Sequence, residues 1–110
     1  METVLKRYPK IDLVYAHNDP MAFGAYLGAR DAGREKGIKF IGIDAIPEEG
    51  CMWVKRGHPA ATFVYPPLGV EGLRMALNLL KGETVAKRVM LPTKRITAEN
   101  VDDYLASLKK

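Results

Sequence analysis

The stretch Tyr15 to Ala25, YAHNDPMAFGA, joins an apolar run on its left to a helical pattern on its right and places His17, Asn18 and Asp19 at the junction. To the left, "DLVYAH" is short and rich in Val, Leu and Tyr, which predicts a buried strand. To the right, Met21, Ala22, Ala25, Tyr26 and Ala29 recur at helical spacing until the glycines of "DAG" and "REKG" stop the run. The alternation repeats downstream. "IKFIGIDAI" and "AATFVY" read as two more strands, and after Pro47 a short helix, "EEGCMWVKRG", lies between them with Met52, Trp53 and Val54 as its apolar side. Strands alternating with helices predict parallel pairing through right-handed crossovers, a three-layer α/β arrangement of a parallel sheet with flanking helices.

Beyond "YPPLG" the character changes. "VEGLRMALNLLKG" carries Val70, Leu73, Leu77 and Leu80 along one helical face and ends at Gly82. "RVMLPT" predicts a fourth strand, and "TAENVDDYLASLKK" a final helix capped by Thr97 and closed by lysines that suit the negative end of the dipole.

Composition narrows the function classes. The 110 residues suit one domain or a piece of one, and 47% apolar with 27% charged residues is ordinary globular composition. The net charge of +4 is dispersed from Lys6 to Lys110 with acids between, so there is no basic stripe for a nucleic acid. No apolar run approaches the roughly 18 residues of a membrane span. The first residues, "METVLKRYPKID", show no secretory h-region; for an exported protein the signal would lie upstream. Cys51 stands alone, so neither an internal disulfide nor a thiolate metal site is expected. No serine sits in a glycine elbow, no Gly-rich phosphate loop follows a strand, and no histidines pair at metal spacing, so neither cofactor nor metal is expected.

In open parallel sheets, ligands bind beyond the carboxyl ends of the strands. Three such ends here carry polar or amphipathic groups: His17, Asn18 and Asp19 after the first strand, Asp44 after the second and Tyr65 after the third. Asp19, directly before the proline that opens a helix, is expected to be the N-cap. Asn18 is then free either to meet a hydroxyl ligand, since its amide both donates and accepts, or to serve its own turn. Asp44 follows "FIGI" with no evident capping duty. It could accept two hydroxyl bonds or close an Asx turn. Tyr65 is held extended by Pro66 and Pro67; it is either a sugar-stacking phenol or an aromatic at a core edge. His17 could act as a base, and His58 or Cys51 could join it, yet nothing in their surroundings favours catalysis.

"IDLVYAHNDPMAFGAYLGARDAG", "FIGIDAIPE", "AATFVYPP", "ALNLLKGE" and "LPTKRITAENVDDY" resemble, in that order, the C-terminal part of the type I periplasmic sugar-binding proteins of the ribose and galactose group. The resemblance implies a two-lobed clamp that closes on a monosaccharide and hands it to the permease of an ABC transporter. By position, Asn18 matches the asparagine of the "ND" motif and Asp44 the aspartate of the glycine-hydrophobic-aspartate motif, both of which bind sugar hydroxyls. Tyr65 falls where ribose binders commonly carry glutamine. Asp19 matches the second residue of the "ND" motif and keeps its capping role.

The resemblance further implies that residues 1–65 form the second half of a C-terminal lobe and that residues 66–110 cross a hinge, contribute a helix to another lobe and return, the N-terminal lobe being absent. A parent of this kind is periplasmic or otherwise extracytoplasmic. An open strand edge and an uncovered crossover helix then predict self-association and weak sugar binding for this polypeptide alone. Two sensory alternatives share the fold. "YAHNDPMAFGAY" with "FIGIDAIPEEG" is also similar to the extracytoplasmic sensors of histidine kinases, and lactose-repressor-type regulators use the same domain, although they usually carry "GFDD" where this chain has "GIDA". An enzyme built on Asp44 and a histidine is the least favoured reading.

Overall fold

A computed structural model describes residues 1–109. A short helix α1 (Glu2–Arg7) leads into β1 (Leu13–Tyr15), α2 (Asp19–Asp31) and β2 (Lys39–Ile41). Next come a π-type turn over Pro47–Cys51, in which Cys51 N donates to Ile46 O, and α3 (Met52–Lys55). Then follow β3 (Ala61–Phe63), α4 (Gly69–Leu80), β4 (Arg95–Thr97) and α5 (Val101–Ser107).

The four strands form one sheet in the order β1-β2-β3-β4. β1 pairs with β2 and β2 with β3 in parallel, as the strand and helix alternation predicts, whereas β4 runs antiparallel to β3 with Thr62 opposite Ile96. Register and pleat place Val14, Phe40, Thr62 and Ile96 on one face. Against Val14 and Phe40, together with Leu5, Ala29 and Ile38, pack Met1, Ala25 and Tyr26. Around Ile96 a second cluster gathers Ala45, Cys51 and Val101, with Val64, Tyr104 and Leu105 at its margin. Leu13 and Tyr15 on the other side of β1 are more than half exposed.

Aromatic stacking docks α3 onto α2. Trp53 lies flat on Phe23 with centroids 4.5 Å apart, and Tyr26 stacks on His58 at 4.1 Å while meeting Phe40 edge-on. Arg34 ties α1 to the same layer, its guanidinium donating to the carbonyl of Leu5 in the last turn of the helix and to those of Tyr8 and Pro9 just past its end.

Two expectations for the tail need correction. The residues of "RVMLPT" form no ladder; Pro92 offers no N–H, and pairing with β3 begins only where Lys94 O accepts from Val64 N, so β4 starts at Arg95. Thr97 is a strand residue rather than a cap. The final helix starts at Val101 with Asn100 at its N-cap position, and the Asn100 side chain turns back to accept from Thr97 N at 2.8 Å.

α4 stands apart. It has no buried residue, and the face formed by Val70, Leu73, Leu77 and Leu80 is exposed along its length. The radius of gyration, 18.1 Å, far exceeds the roughly 13 Å of a compact domain of this size, because this arm extends away from the sheet.

Candidate functional site

The three parallel strands end side by side, and hydrogen bonds continue past them. Ala16 N donates to Ile41 O at 2.9 Å, Asp19 N to Ile43 O at 2.8 Å and Asp44 N to Phe63 O at 2.9 Å, with an isolated bridge between Asp44 and Val64. Asn18, Asp44 and Tyr65 therefore sit on successive chain crossings at one rim of the sheet. Asn18 and Asp44 are half-buried, and Tyr65 is 61% exposed. His17 shares the first crossing, exposed, its ring 5.7 Å from that of Tyr15.

The division of labour within His17-Asn18-Asp19 differs from expectation. Asn18 is the N-cap of α2: its backbone is extended, and its Oδ1 accepts from Met21 N at 2.9 Å. Asp19 does not cap. It is the first helical residue, wholly buried, and its Oδ2 accepts from Ala45 N at 2.9 Å across to the end of β2. Either residue satisfies the sequence rule for a helix start, because a proline in the second position also lacks nothing. The cap leaves Asn18 its two Nδ2 donors, so the residue can both start the helix and meet a ligand.

Asp44 and Ala45 have φ of +117° and +54°, a pair of consecutive non-glycine residues in left-handed backbone. Each such residue costs on the order of 1–3 kcal/mol and persists only where its surroundings fix it. The surroundings here do so from every side. Ala45 N donates to Asp19 Oδ2 and also to Thr62 Oγ1 at 3.2 Å, and Ala45 O accepts from Cys51 Sγ at 3.2 Å. Asp44 O accepts a long bond, 3.5 Å, from Tyr65 N. The corner leaves Asp44 half-buried at the rim while Ala45 is sealed in the core beside Cys51, Ile96 and Val101.

The Asp19 carboxylate fits a recess floored by glycine. A Cβ at Gly42 or at Gly50 would overlap it. Oδ1 has no hydrogen-bond partner. Burial pushes this carboxyl above the ordinary 3.8, opposed by hydrogen bonding from Thr62 and Ala45 and reinforced by the charges of Asp44 and Glu49. Thr62, Gly42, Gly50 and the strained corner escape sequence reading, since nothing local distinguishes a threonine or glycine that serves a residue twenty or more positions away.

Chemically, the rim offers an amide with two donors, a carboxylate acceptor and a phenol, a set that suits a ligand dense in hydroxyl groups. Burial, with the nearby charges of Asp19 and Glu48, pushes the Cys51 thiol up to about 11, so it is no nucleophile near neutral pH. Among the described residues no group of three His, Cys, Asp or Glu could hold a metal ion, and no helix is long and apolar enough to cross a membrane.

Comparison with known proteins places the chain in a family. Residues 1–98 match the family described as periplasmic binding proteins and sugar binding domain of the LacI family. The chain belongs to this family. Among its relatives in the periplasmic binding protein family, the ribose import binding protein RbsB of Salmonella typhimurium LT2 is 34% identical over 98 residues, which cover 87% of this chain and 32% of that protein. The xylitol-binding protein of Mycolicibacterium smegmatis is 40% identical over 97 residues, covering 86% of this chain and 27% of its own length. Among solved structures, the fructose binding periplasmic domain of a hybrid two component system superposes with a TM-score of 0.90 at 38% identity, covering 98% of this chain and 37% of that one. The chain thus spans about a third of the length of the curated relatives it matches. The parallel α/β sheet with flanking helices read from the strand and helix alternation holds, and so does the resemblance to the type I periplasmic binding proteins.

Proposed function

We propose that this chain supplies part of the sugar-binding lobe of a substrate-binding protein serving an ABC importer, with Asn18, Asp44 and Tyr65 contacting the hydroxyl groups of a monosaccharide or related polyol and with no catalytic step. The observation that carries the reading is the strained Asp44–Ala45 corner, which stands at the carboxyl end of the sheet on the crossing next to that of Asn18, whose cap leaves Nδ2 unused. Relatives named for ribose and xylitol support a ligand of this class. Residues 66–110 would cross a hinge: α4 would bury its leucine face on a second lobe, and β4 and α5 would return to this one. The protein would then work outside the cytoplasm and present its closed form to a permease.

A second reading has its own support. The likeness to a fructose binding domain of a hybrid two component system favours a sensory role for the same sugar site. The two readings share ligand chemistry and differ in what the complete reading frame encodes beside it, an importer component standing free or a sensor continuing into signalling domains.

The test is calorimetric titration of the protein expressed from its complete reading frame with D-ribose, D-allose, xylitol and D-fructose. At least one should bind, and Asp44→Ala should weaken it tenfold or more, since a hydrogen bond to a charged group contributes about 1.5–3 kcal/mol. Affinity kept within about twofold, equivalent to ~0.4 kcal/mol, would remove Asp44 from the site.

A further inference from the structure

Asp19 presents a puzzle of cost. A wholly buried carboxylate with one unpartnered oxygen is an expensive group to keep, and the helix it begins is already capped by Asn18. Its one strong contact lies elsewhere, on the amide of Ala45, the residue after the sugar-facing Asp44. Two glycines on separate segments, Gly42 and Gly50, leave the space it occupies. Thr62, on the neighbouring strand, adds a second acceptor to the same amide.

We infer that Asp19, assisted by Thr62, is the positioning residue of the sugar site: its carboxylate anchors the Ala45 amide, holds the corner in left-handed backbone, and thereby aims the Asp44 carboxylate at the ligand. The inference rests on the role proposed above for Asp44. Alanine has no intrinsic means to hold φ near +54°, so without the anchor the Asp44–Ala45 peptide relaxes to ordinary backbone and the Asp44 side chain leaves its present place. Glycine does not resist left-handed backbone. A glycine at position 45 therefore compensates for loss of the anchor, which it could not do if Asp19 served only general packing.

D-ribose, or the sugar of the panel that binds best, is titrated into the complete protein bearing Asp19→Ala, Asp19→Ala with Ala45→Gly, and Thr62→Val, and the amide of residue 45 is followed by NMR. Expected are a tenfold or greater loss for Asp19→Ala, recovery of most of it on adding Ala45→Gly, a threefold or greater loss for Thr62→Val, and in both single variants an upfield move of the Ala45 amide proton as it loses a charged or hydroxyl acceptor. Should Asp19→Ala fail to fold, Thr62→Val carries the test alone. Unchanged affinity with an unmoved amide, or a loss that glycine does not recover, overturns the positioning role. If instead the amide moves as expected while neither these variants nor Asp44→Ala alters sugar binding, the anchor stands and the assignment of Asp44 as ligand falls.

Discussion

Asp19 and Ala45, 26 residues apart in the chain, are joined by a buried hydrogen bond of 2.9 Å from the Ala45 amide to Oδ2 of the carboxylate. Through it the first turn of α2 grips the end of β2, adding to the backbone bond from Asp19 N to Ile43 O. The rim is thus built from two crossings locked together behind Asn18 and Asp44 by bonds from the first turn of α2.

The locked carboxylate makes stability depend on pH in a definite sense. Burial chiefly raises the Asp19 pKa above its ordinary 3.8, so the native state binds this proton more tightly than the unfolded chain. Stability from this group is therefore fully present below about pH 3.8 and is lost as pH rises through the raised native value. Asn at this position does not titrate. Urea unfolding of the native protein and of Asp19→Asn across this range should show the native protein's advantage shrinking as pH increases; parallel curves would mean that the carboxyl is not perturbed.

The glycine recess makes a steric prediction. At Gly50 an added methyl collides with the Asp19 carboxylate, which cannot retreat because Gly42 backs it and Ala45 holds it. Gly50→Ala should cost about 1–3 kcal/mol in chemical denaturation, the usual range for overpacking. Gly24→Ala, on an open part of α2 where a Cβ meets nothing within 4 Å, should instead be neutral or stabilising by up to ~1 kcal/mol. Equal effects at the two sites would refute the recess.

Cys51 reports on the same region without mutation. Its thiol is buried, donates to Ala45 O at 3.2 Å and has its pKa pushed up to about 11 by burial. Labelling by a thiol reagent at pH 7 should be limited by opening of the π-type turn, so its rate should rise in Asp19→Ala and stay low in surface variants of α4. Rapid stoichiometric labelling of the native protein would contradict the buried placement.

The chain announces its architecture and the rim where its strands end better than the duties of the residues there. Apolar runs at 13–15, 39–41 and 61–63 with helical spacing between them specify the parallel sheet, because period and length are local properties. That Asn18, Asp44 and Tyr65 meet at one rim was legible for a related reason: in such a sheet the carboxyl ends of the strands lie side by side. Roles were harder. "ND" before proline leaves two candidate caps, and the choice is made at a distance by the Ala45 amide, which offers the Asp19 carboxylate a partner away from the helix. The tail misled for the same cause, since the register of β4 is dictated by its bonds to β3 rather than by the apolar run preceding it.

The uncovered helix gives the last prediction. Val70, Leu73, Leu77 and Leu80 lie on one face of α4 and are each at least 48% exposed, and no residue of that helix is buried. An apolar stripe of this length seldom stays in water. The isolated 110-residue chain should therefore self-associate in static light scattering, and Leu73→Lys with Leu77→Lys should shift it toward monomer. Its unfolding free energy should change by no more than about 0.5 kcal/mol, because neither leucine supports the sheet. A monodisperse monomer before substitution would show that the stripe is covered from within the chain, and would remove the support it lends to a second lobe.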